Sequence, residues 1–371
     1  MLPLNWQRVK LGDIGKPCMC KRVMKHQTTR YGEIPFYKIG TFGNTADAFI
    51  SKKLFLEYKT KYSFPKKGDI LISASGTIGR AVIYDGKPAY FQDSNIVWID
   101  NDETLVKNDF LFYAYSNVKW NTEHTTILRL YNDNFRNTLI PLPPLNEQSA
   151  IANILSDLDR YLYALDALIL KKESVKKALS FELLSQRKRL KGFNQAWQRV
   201  RLGDICEITT GSLDANEMVH YGKYRFYTCA KEYYFIDKYA FDTEAILISG
   251  NGAYVGYVHY YKGKFNAYQR TYVLDNFSEH IIFVKYFLTM FLQSHIQTNR
   301  NEGNTPYIVM ATLKDFEILL PPLNEQSAIA NILSALDNEI ISLKNKKRQF
   351  ENIKKALNHD LMSAKIRVLE K

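Results

Sequence analysis

Hydrophobic residues recur at helical spacing in two long stretches of the chain. The first runs from Leu145 to Lys191 and the second from Leu323 onward, and neither contains glycine or proline. The first stretch has apolar residues at Ile151, Leu155, Leu158, Leu162, Leu165, Ile169, Val175, Leu179 and Leu183. The second has them at Ile329, Leu333, Leu336, Ile340, Leu343, Phe350, Leu357 and Leu361. Alternating steps of four and three residues predict amphipathic helices of the coiled-coil type.

The ends of these helices are marked by residues with known positional preferences. Pro143-Pro144 and Pro321-Pro322 prevent an earlier start, and Asn146 and Asn324 are suitable N-caps. Gly192 is a suitable stop for the first helix. A helix over 145–190 would be about 69 Å long, which is too long to bury its apolar side alone.

The two helical stretches belong to an internal repeat. The segment Leu142–Asp159 returns as Leu320–Asp337 with 17 of 18 residues identical, and the opener WQRVKLGDI at Trp6 returns as WQRVRLGDI at Trp197. The chain therefore consists of two copies of one unit: a short opener, a variable region and a repeated helix. Near-identity in one part and divergence in the other predict identical partners for the helices and different ones for the variable regions, although recent duplication with drift is an alternative.

Two equivalent helices in one chain can pair with each other. We expect an antiparallel coiled coil with internal two-fold symmetry, because each helix follows its own variable region. Parallel pairing is the alternative if the linker at 192–195 folds back. Lys172 and Lys347 occupy seam positions and predict interruptions in the apolar contact.

The variable regions alternate short β-rich runs with turn signals. Strands are predicted at 34–40, 68–73 and 95–99 in the first region, and at 245–249 and 271–274 in the second. Glycine-rich loops follow one strand in each region, at 74–79 and 250–256, and helices are predicted at 109–119 and 281–296. A weak match places FQDSNIVWID at Phe91 opposite YQRTYVLD at Tyr268. These patterns predict two related α+β domains with different surfaces.

Composition and charge narrow the class of protein. Of 371 residues, 46% are hydrophobic and 24% are charged, which is typical of globular proteins. The net charge of +12 favours an anionic partner, but it is uneven: residues 1–141 have 20 basic against 13 acidic residues, whereas residues 194–319 have 12 against 13 and contain 14 of the 25 tyrosines. Four cysteines, no signal-peptide pattern and no apolar run of membrane-spanning length predict a cytoplasmic protein without membrane association.

The search for catalytic motifs is negative. Both Pro-Pro pairs stand in Leu-Pro-Pro-Leu rather than in the Asp/Asn-Pro-Pro-aromatic motif of adenine methyltransferases, and no Walker A pattern occurs. Cys18-Met19-Cys20 lacks a second ligand pair at zinc spacing, and no HExxH pattern occurs. We therefore predict no catalytic and no metal-ligating residues.

In this order and twice over, the motifs resemble those of the specificity (S) subunits of type I restriction-modification systems. The resemblance rests on Pro141–Gln148 with Ile151, on Leu320–Gln326 with Ile329, on Gly68–Ser73 with Gly76-Thr77-Ile78-Gly79, and on the two openers. The second half departs from the family pattern, with Glu244-Ala245 in place of Gly-Asp and Gly252-Ala253-Tyr254 in place of Gly-Thr-Ile.

The resemblance implies a fold and a function. It implies target recognition domains at 1–141 and 194–319, and coiled-coil helices at 142–193 and 320–371, in an α+β fold with an internal pseudo-two-fold repeat. Each domain would recognise one half of a bipartite, asymmetric site in double-stranded DNA, and the helices would act as the spacer. Two methyltransferase (M) subunits would bind S-adenosylmethionine, restriction (R) subunits would use ATP and Mg²⁺, and this chain would need no cofactor and catalyse nothing.

The resemblance also suggests which residues make these contacts. For DNA in the first domain we predict Arg22, Lys25, Arg30, Lys38, Lys52, Lys53, Ser75, Thr77, Arg80 and Gln92. In the second we predict Lys223, Tyr224, Arg225, Lys231, Asn251, Tyr254, Gln269 and Arg270, and the basic and tyrosine-rich composition there also points to Arg300. For the methyltransferase subunits we predict the helix starts, at Leu145, Asn146, Glu147, Gln148 and Ile151 and at Leu323, Asn324, Glu325, Gln326 and Ile329, although these residues could simply cap the helices.

Two alternatives remain open at this stage. The chain could be the recognition subunit of a related enzyme in which methyltransferase and nuclease share one partner polypeptide. It could also be a coiled-coil assembly scaffold whose end domains bind something other than DNA, in which case no duplex would bind with salt-dependent affinity.

Overall fold

The computed structural model describes residues 3–124, 128–299 and 306–368. Its internal contacts divide the chain into two units, Met1–Asp166 with Lys346–Lys371, and Ala167–Asn345. Each unit therefore contains one globular domain and part of both long helices. Within the described ranges, no helix has an apolar stretch long enough to cross a membrane.

Unit 1 holds the first domain. Its elements are β1 (Gln7–Lys10), α1 (Leu11–Ile14), β2 (Gly15–Met19), β3 (Ile34–Tyr37), β4 (Phe49–Ile50), α2 (Lys52–Lys61), β5 (Ile70–Ser73), β6 (Ala81–Ile83), β7 (Tyr90–Phe91), β8 (Ile96–Asn101), α3 (Asn108–Tyr115), β9 (Glu123–His124), β10 (Leu128–Arg129), α4 (Asn132–Asn137) and β11 (Leu139–Leu142). One sheet has the order β2-β8-β5-β6 and a second has the order β4-β3-β7, with β3 and β7 parallel. The core lies beneath α3, where Phe110 and Leu111 are buried.

Unit 2 holds the second domain. Its elements are β12 (Gln198–Arg201), β13 (Glu207–Thr210), β14 (Tyr224–Tyr227), β15 (Tyr234–Ile236), β16 (Phe241–Ser249), β17 (Val258–Ala267), β18 (Thr271–Asp275), α6 (Ile281–Asn299), α7 (Met310–Lys314) and β19 (Glu317–Leu320). The order β13-β18-β16-β17-β14-β15 forms one six-stranded sheet in which only the described β14–β17 pair is parallel. Helix α6 covers it, with Phe283 and Leu292 fully buried.

The repeated openers have a structural role. In unit 1 the opener strand β1 pairs antiparallel with β11, with Val9 opposite Ile140. In unit 2 the opener strand β12 pairs with β19, with Val200 opposite Ile318. Because β11 and β19 lead directly into the long helices, each pair joins the start of its domain to the start of its helix.

The long helices are α5 (Leu145–Leu184) and α8 (Leu323–Met362). In unit 1, Asp159 of α5 forms an ion pair with Lys354 of α8, and the Tyr161 ring packs against Phe350 at 4.7 Å. Later residues of α5 pair with earlier residues of α8, so the helices run antiparallel in this unit.

The pairing continues in unit 2 with the same direction. Lys172 forms an ion pair with Glu339 at 2.8 Å, and Lys176 pairs with Asp337. The predicted antiparallel coiled coil is confirmed. The two lysines at seam positions are accommodated by ion pairs. In unit 2 this is the pair of Lys172 with Glu339, and in unit 1 the Lys347 ammonium lies 2.6 Å from the Asp166 carboxylate.

Both helices end earlier than the sequence predicts, at Leu184 and Met362 rather than near 190 and beyond. Gln186 and Ala364 adopt the same left-handed backbone, with φ of 61° and 58°. After these turns the chain folds back, because the amide of Lys188 donates to the Glu182 carbonyl at 3.1 Å. The ion pairs of Arg189 with Glu325 and of Arg367 with Glu147, formed beyond the helix ends, favour this turn over continued helix.

The predicted elements of the domains are confirmed, with shifted ends. The strands predicted around 34–40, 68–73, 95–99, 245–249 and 271–274 correspond to β3, β5, β8, β16 and β18. Helix α3 ends at Tyr115 rather than at Lys119. The hydroxyl of Ser116 donates to the Tyr113 carbonyl at 2.7 Å and accepts from Asn358 at 2.6 Å, which gives the backbone an alternative to the next helical turn.

Candidate nucleic-acid interface

Three loops of the first domain meet at one end of its sheets. We call residues 38–44, 74–80 and 92–95 the first loop surface. The amide of Ile39 donates to Gln92 Oε1 at 2.9 Å, and the Arg80 guanidinium donates to the Phe42 carbonyl at 3.0 Å. These bonds hold Gln92 and Arg80, two of the predicted DNA contacts, in one surface, where the Arg80 side chain is exposed to solvent.

Several basic residues at this surface have acidic or amide partners. Lys38 forms an ion pair with Asp47 at 2.9 Å, and Arg22 forms one with Asp93 at 2.9 Å. Arg129 donates to Asn95 Oδ1 at 3.1 Å. The sequence prediction missed Arg129, because only the bridge between β10 and the glycine-rich loop brings it to the surface.

The glycine-rich loop of this surface is tightly closed. The amide of Gly79 donates to the Ser73 carbonyl at 2.9 Å, and Gly76 and Gly79 have φ of 64° and 83°. A Cβ on Gly79 would lie 2.1 Å from Trp120 Nε1, whereas one on Gly76 would have no atom within 3.4 Å. Glycine is therefore required at position 79 by both backbone and packing.

The second domain has an equivalent arrangement, the second loop surface, formed by residues 228–233, 250–257 and 268–270. The amide of Gly256 donates to the Ser249 carbonyl at 2.7 Å, as Gly79 does to Ser73. Gly252 and Gly256 also have positive φ, at 81° and 79°. The altered motif in this half therefore keeps the same loop closure, with one residue more.

Two predicted residues meet on the second loop surface. The Lys231 ammonium lies 5.0 Å from the centre of the Tyr254 ring, and both side chains are exposed. His259 supports this loop by bonding to the Ala230 carbonyl at 2.9 Å. Burial lowers the pKa of His259, so the imidazole is neutral at physiological pH and holds the loop without charge.

Arg225 is half-buried and packs between two tyrosine rings of the second domain. Its guanidinium lies 4.3 Å from the ring centre of Tyr233 and 4.5 Å from that of Tyr261. It also donates to the Tyr227 hydroxyl at 3.4 Å. The neighbouring Tyr224 packs its ring against Tyr239 at 5.0 Å. Both half-buried side chains are thus engaged with rings of their own domain, and one of these rings, Tyr233, belongs to the second loop surface.

The remaining predicted DNA contacts occupy different environments. Ser75 is buried and donates to Asn95 at 2.9 Å, so its hydroxyl is engaged internally. Asn251 is half-buried, and Arg300 lies outside the described residues. The exposed members are Lys25, Arg30, Lys52, Lys53, Thr77, Lys223, Gln269 and Arg270. Lys52 and Lys53 open α2, and Lys25 and Arg30 belong to the segment before β3, so these four are not part of the three loops.

The alignment of Gln92 with Gln269 requires a correction. The backbone amide of Gln92 donates to the Tyr37 carbonyl at 2.9 Å. In the second domain, the backbone amide of Tyr268 makes the equivalent bond to the Tyr227 carbonyl, also at 2.9 Å. Gln92 is therefore equivalent to Tyr268. The sequence match slipped by one residue because the loop is longer in the first domain.

The repeated helix starts form internal contacts. Glu147 is buried and accepts bonds from Trp6 Nε1 at 3.0 Å and from Arg367 Nη2 at 2.9 Å. Gln148 is fully buried, accepts from the Lys107 amide at 2.8 Å and donates to the Pro143 carbonyl at 2.9 Å. In unit 1 the helix start thus joins the opener, the domain and the segment after α8.

Unit 2 repeats these contacts. Glu325 is fully buried and accepts from Arg189 Nη2 at 2.5 Å and from Trp197 Nε1 at 3.2 Å. Gln326 accepts from the His280 amide at 3.0 Å and donates to the Pro321 carbonyl at 2.8 Å. The early helix ends are explained here, because the turn after each helix brings its arginine to the buried glutamate.

This arrangement corrects the interpretation of the repeated motif. Glu147, Gln148 and Ile151 have no exposed surface to offer a partner, and neither have Glu325, Gln326 and Ile329. Their repetition follows from identical internal contacts. The exposed helix-start residues, Leu145, Asn146, Leu323 and Asn324, keep their predicted role as a prediction.

A second repeated cluster fixes each domain to the helix pair. In unit 2 the Tyr286 hydroxyl of α6 donates to Asp337 of α8 at 2.6 Å, and Lys176 of α5 pairs with the same carboxylate. Burial alone raises the pKa of Asp337, but the Lys176 ammonium and the Tyr286 hydroxyl outweigh it and lower that pKa below its ordinary value. In unit 1, Tyr113 donates to Asp159 at 2.8 Å in the same way.

Each cluster borders a groove. The unit 1 groove measures about 900 Å³ and the unit 2 groove about 400 Å³. Both are lined by the tyrosine–aspartate–lysine cluster and by the next lysine of the helix, Lys355 in unit 1 and Lys177 in unit 2. The two lysines occupy equivalent positions of the sequence repeat, so the grooves present similar charges.

Comparisons with known proteins agree with this organisation. A protein of Haemophilus influenzae described as a type I restriction enzyme specificity subunit is 64% identical over 148 residues, which are 40% of this chain and 38% of that protein. The EcoDI specificity subunit of Escherichia coli is 38% identical over 170 residues, 45% of this chain and 37% of that subunit. The matched part thus spans less than half the length of these relatives. The MjaVIII specificity subunit of Methanocaldococcus jannaschii is 26% identical over 99% of this chain and 94% of its own length.

Solved structures show the same fold. The S subunit of the type I restriction-modification system of M. genitalium has a TM-score of 0.66 at 18% identity, covering 97% of this chain and 98% of that one. The sequence model of the type I restriction modification DNA specificity domain matches residues 3–173 and again residues 194–352. Two matched copies account for most of the sequence, so the chain belongs to the family of type I restriction-modification DNA specificity proteins.

Proposed function

We propose that the chain is the DNA-recognition subunit of a type I restriction-modification complex, in which each loop surface recognises one half of a bipartite site. The observation that supports this most directly is the repeated scaffold with two different loop surfaces. Both surfaces are built from the same strand ends and the same closed glycine loop, yet the exposed side chains differ. An asymmetric target needs that combination: a common support with different residues at the base edges.

The charge distribution supports a division of labour between the two surfaces. Residues 1–141 have an excess of seven positive charges, whereas residues 194–319 are nearly neutral. In the first domain, lysine and arginine contacts to phosphates would supply affinity. In the second, Lys231, Gln269 and Arg270 with exposed tyrosines would contact the duplex individually.

We propose that two methyltransferase subunits dock at the two equivalent grooves, and that the paired helices set the spacing of the half-sites. Identical partners require equivalent surfaces that are accessible. The two grooves meet this requirement, whereas the repeated glutamates and glutamines of the helix starts are buried. Lys177 and Lys355 each place an exposed positive charge at the groove, beside the paired lysine and two carboxylates, which suits charge-complementary contacts with the partner. The methyltransferase subunits would bind S-adenosylmethionine and the restriction subunits ATP and Mg²⁺, so that this cytoplasmic chain binds no cofactor and catalyses no reaction.

Mapping of methylated adenines tests the recognition proposal. The chain is co-expressed with its methyltransferase subunit, and methylation is located by single-molecule sequencing. We expect two short half-sites separated by a fixed gap, and exchange of residues 194–319 for those of a relative should change one half-site only. A continuous site, or a site unaffected by the exchange, would refute recognition by two separate surfaces.

Stoichiometry tests the docking proposal. Lys177→Glu and Lys355→Glu reverse one exposed charge in each groove. Each single variant should co-purify with one methyltransferase subunit instead of two, and the double variant with none. Lys171→Glu changes an exposed lysine of α5 that does not line the groove and serves as the matched control. Two bound subunits in the double variant would contradict docking at the grooves.

A further inference from the structure

One segment follows the same backbone course in both domains although few of its residues are shared. Residues 25–37 and 215–227 each form a 3-10 turn, a single bridge to an edge strand, a bend and then a strand, in the same order at all 13 positions. Only four positions are identical: Tyr31 and Tyr221, Gly32 and Gly222, Phe36 and Phe226, and Tyr37 and Tyr227. We call residues 28–33 and 218–223 the tyrosine loops.

The first shared residue of each tyrosine loop is almost fully exposed. Tyr31 has 87% of its surface accessible, and Tyr221 has 97%. By contrast, the shared Phe36 and Phe226 are buried and belong to the domain cores. A large ring that contacts so little of its own protein contributes little to folding, so packing within the domain does not explain its presence in both.

The backbone that presents each ring is held firmly. Thr29 and Phe49 exchange two backbone hydrogen bonds of 2.9 Å, and the Thr29 hydroxyl donates to the Tyr31 carbonyl at 2.7 Å. A Cβ on Gly32 would lie 2.8 Å from Phe49 Cβ. The loop therefore crosses β4 so closely that only glycine fits beside the tyrosine.

The second domain uses the same construction. The amide of Val219 donates to the Phe235 carbonyl at 2.9 Å, and a Cβ on Gly222 would lie 2.4 Å from the amide nitrogen of Ile236. An aromatic ring on a pre-ordered loop loses little conformational freedom when it binds. Both loops are thus suited to contact a partner through the ring.

Each tyrosine loop follows a segment that touches the loop surface of its domain. In unit 1 this segment begins with Arg22, which pairs with Asp93 of the first loop surface at 2.9 Å. In unit 2 it begins with Leu213, whose carbonyl accepts from the Gln269 amide at 2.9 Å. Exposed cationic residues flank the rings, Arg30 in the first loop and Lys223 in the second.

We propose that Tyr31 and Tyr221 stack on bases of the bound duplex, one in each half-site, as contacts that do not depend on base sequence. This inference rests on the proposed function. The two domains differ in the residues that face base edges, but they share this ring, and every base presents a face on which an aromatic ring can stack once the neighbouring base is unstacked. Insertion of such a side chain at a base step also bends the duplex and brings more of the domain surface to it. The flanking Arg30 and Lys223 would contact the adjacent phosphates.

Binding measurements on the full chain in complex with its methyltransferase subunit test this proposal. The probe is a fluorescein-labelled duplex that contains the site mapped by methylation sequencing, titrated at several salt concentrations. Tyr31→Ala and Tyr221→Ala should each weaken binding on the order of tenfold, without changing the slope of affinity against salt, because no charge is removed. Tyr31→Phe and Tyr221→Phe should bind as the wild type does, because the ring is kept.

The control variant is Tyr163→Ala, which removes a tyrosine of α5 that is 77% exposed and lies outside the tyrosine loops. All variants should keep the wild-type unfolding temperature, since the altered rings are exposed. Unchanged affinity of the alanine variants would overturn the proposal, and so would phenylalanine variants as weak as alanine, which would assign the contact to the hydroxyl. Loss of the methyltransferase subunit with retained duplex affinity would assign the rings to a protein contact. A wild-type complex that binds no duplex would instead refute the proposed function.

Discussion

Replacing Glu325 by glutamine removes one negative charge from a site where the wild-type carboxylate has no exposed surface. The carboxylate accepts two bonds from Arg189, at 2.5 and 3.2 Å, and one from the Trp197 indole at 3.2 Å. Arg189 itself is only 23% exposed. Glutamine keeps the size of the side chain and one acceptor oxygen, but it leaves the guanidinium without its counter-charge.

The expected cost follows from this geometry. Removal of one partner from a fully buried pair destabilises by about 3–5 kcal/mol, and the partial exposure of Arg189 reduces this to about 2–4 kcal/mol. Glu325 also lies in the first turn of α8, where a negative charge stabilises the helix by about 0.3–1 kcal/mol. We therefore expect Glu325→Gln to lower the urea midpoint of the chain clearly, as followed by far-UV circular dichroism.

A double-mutant cycle with Arg189→Met isolates the pair. The coupling free energy should be about 1–3 kcal/mol, because the double variant no longer contains an unpaired charge. Arg199 and Glu317 provide the matched control, since this pair is 64% and 55% exposed and should couple by less than about 1 kcal/mol. Equal coupling in the two pairs would refute the argument that burial of Glu325 gives the helix start its stability.

Three further results are expected. The pKa of Asp337 is lowered, so its ion pair stabilises unit 2 at neutral pH, and this contribution is lost as the pH falls through that pKa. Asp337→Asn should therefore flatten the decline of the urea midpoint between about pH 5 and about pH 2. An unchanged decline would contradict this. In thermal unfolding, Gly79→Ala should destabilise unit 1 by about 3 kcal/mol or more, because the new Cβ clashes with the Trp120 indole ring. Gly76→Ala should cost only about 1–2 kcal/mol, because only its positive φ opposes the substitution. Equal losses would show that the clash with Trp120 contributes nothing. Lys231→Met should reduce the salt slope of duplex binding by about 1, and Lys262→Met, which removes a lysine already paired with a carboxylate, should leave it unchanged; equal slopes for both variants would remove Lys231 from the interface.

The contrast between the helices and the loops shows how far a sequence pattern extends. The spacing of Ile151, Leu155 and Leu162 predicted α5 because an apolar stripe is a local property that repeats every few residues. The predicted end of α5 was wrong, because the turn at Gln186 is stabilised by the ion pair of Arg189 with Glu325, which are 136 positions apart in the chain. No local preference near Gln186 contains that information.

The repeated NEQ motif shows the same limit at the candidate site. Its recurrence indicated a shared requirement, and the sequence offered a partner interface or a helix cap as explanations. Only the structure places Glu147 against Trp6 and Arg367, and Glu325 against Trp197 and Arg189, so that the requirement is internal. The grooves and tyrosine loops became visible as repeats only when the structure aligned the two domains.

The sequence by itself determined the family, the duplication, the two long helices and the order of strands and helices, because each depends on periodicity or on motifs that are local along the chain. The sequence favoured antiparallel pairing of the helices but left parallel pairing open, and the ion pairs between the helices decided the direction. The tertiary structure decided which residues are buried, which charges are paired and which exposed side chains share a surface. Arg225 and Lys231 look alike in the sequence, but one lies between two tyrosine rings and the other faces solvent beside Tyr254. That difference depends on strands and loops distant in the chain, since burial and ion pairing are properties of the folded neighbourhood rather than of the residue.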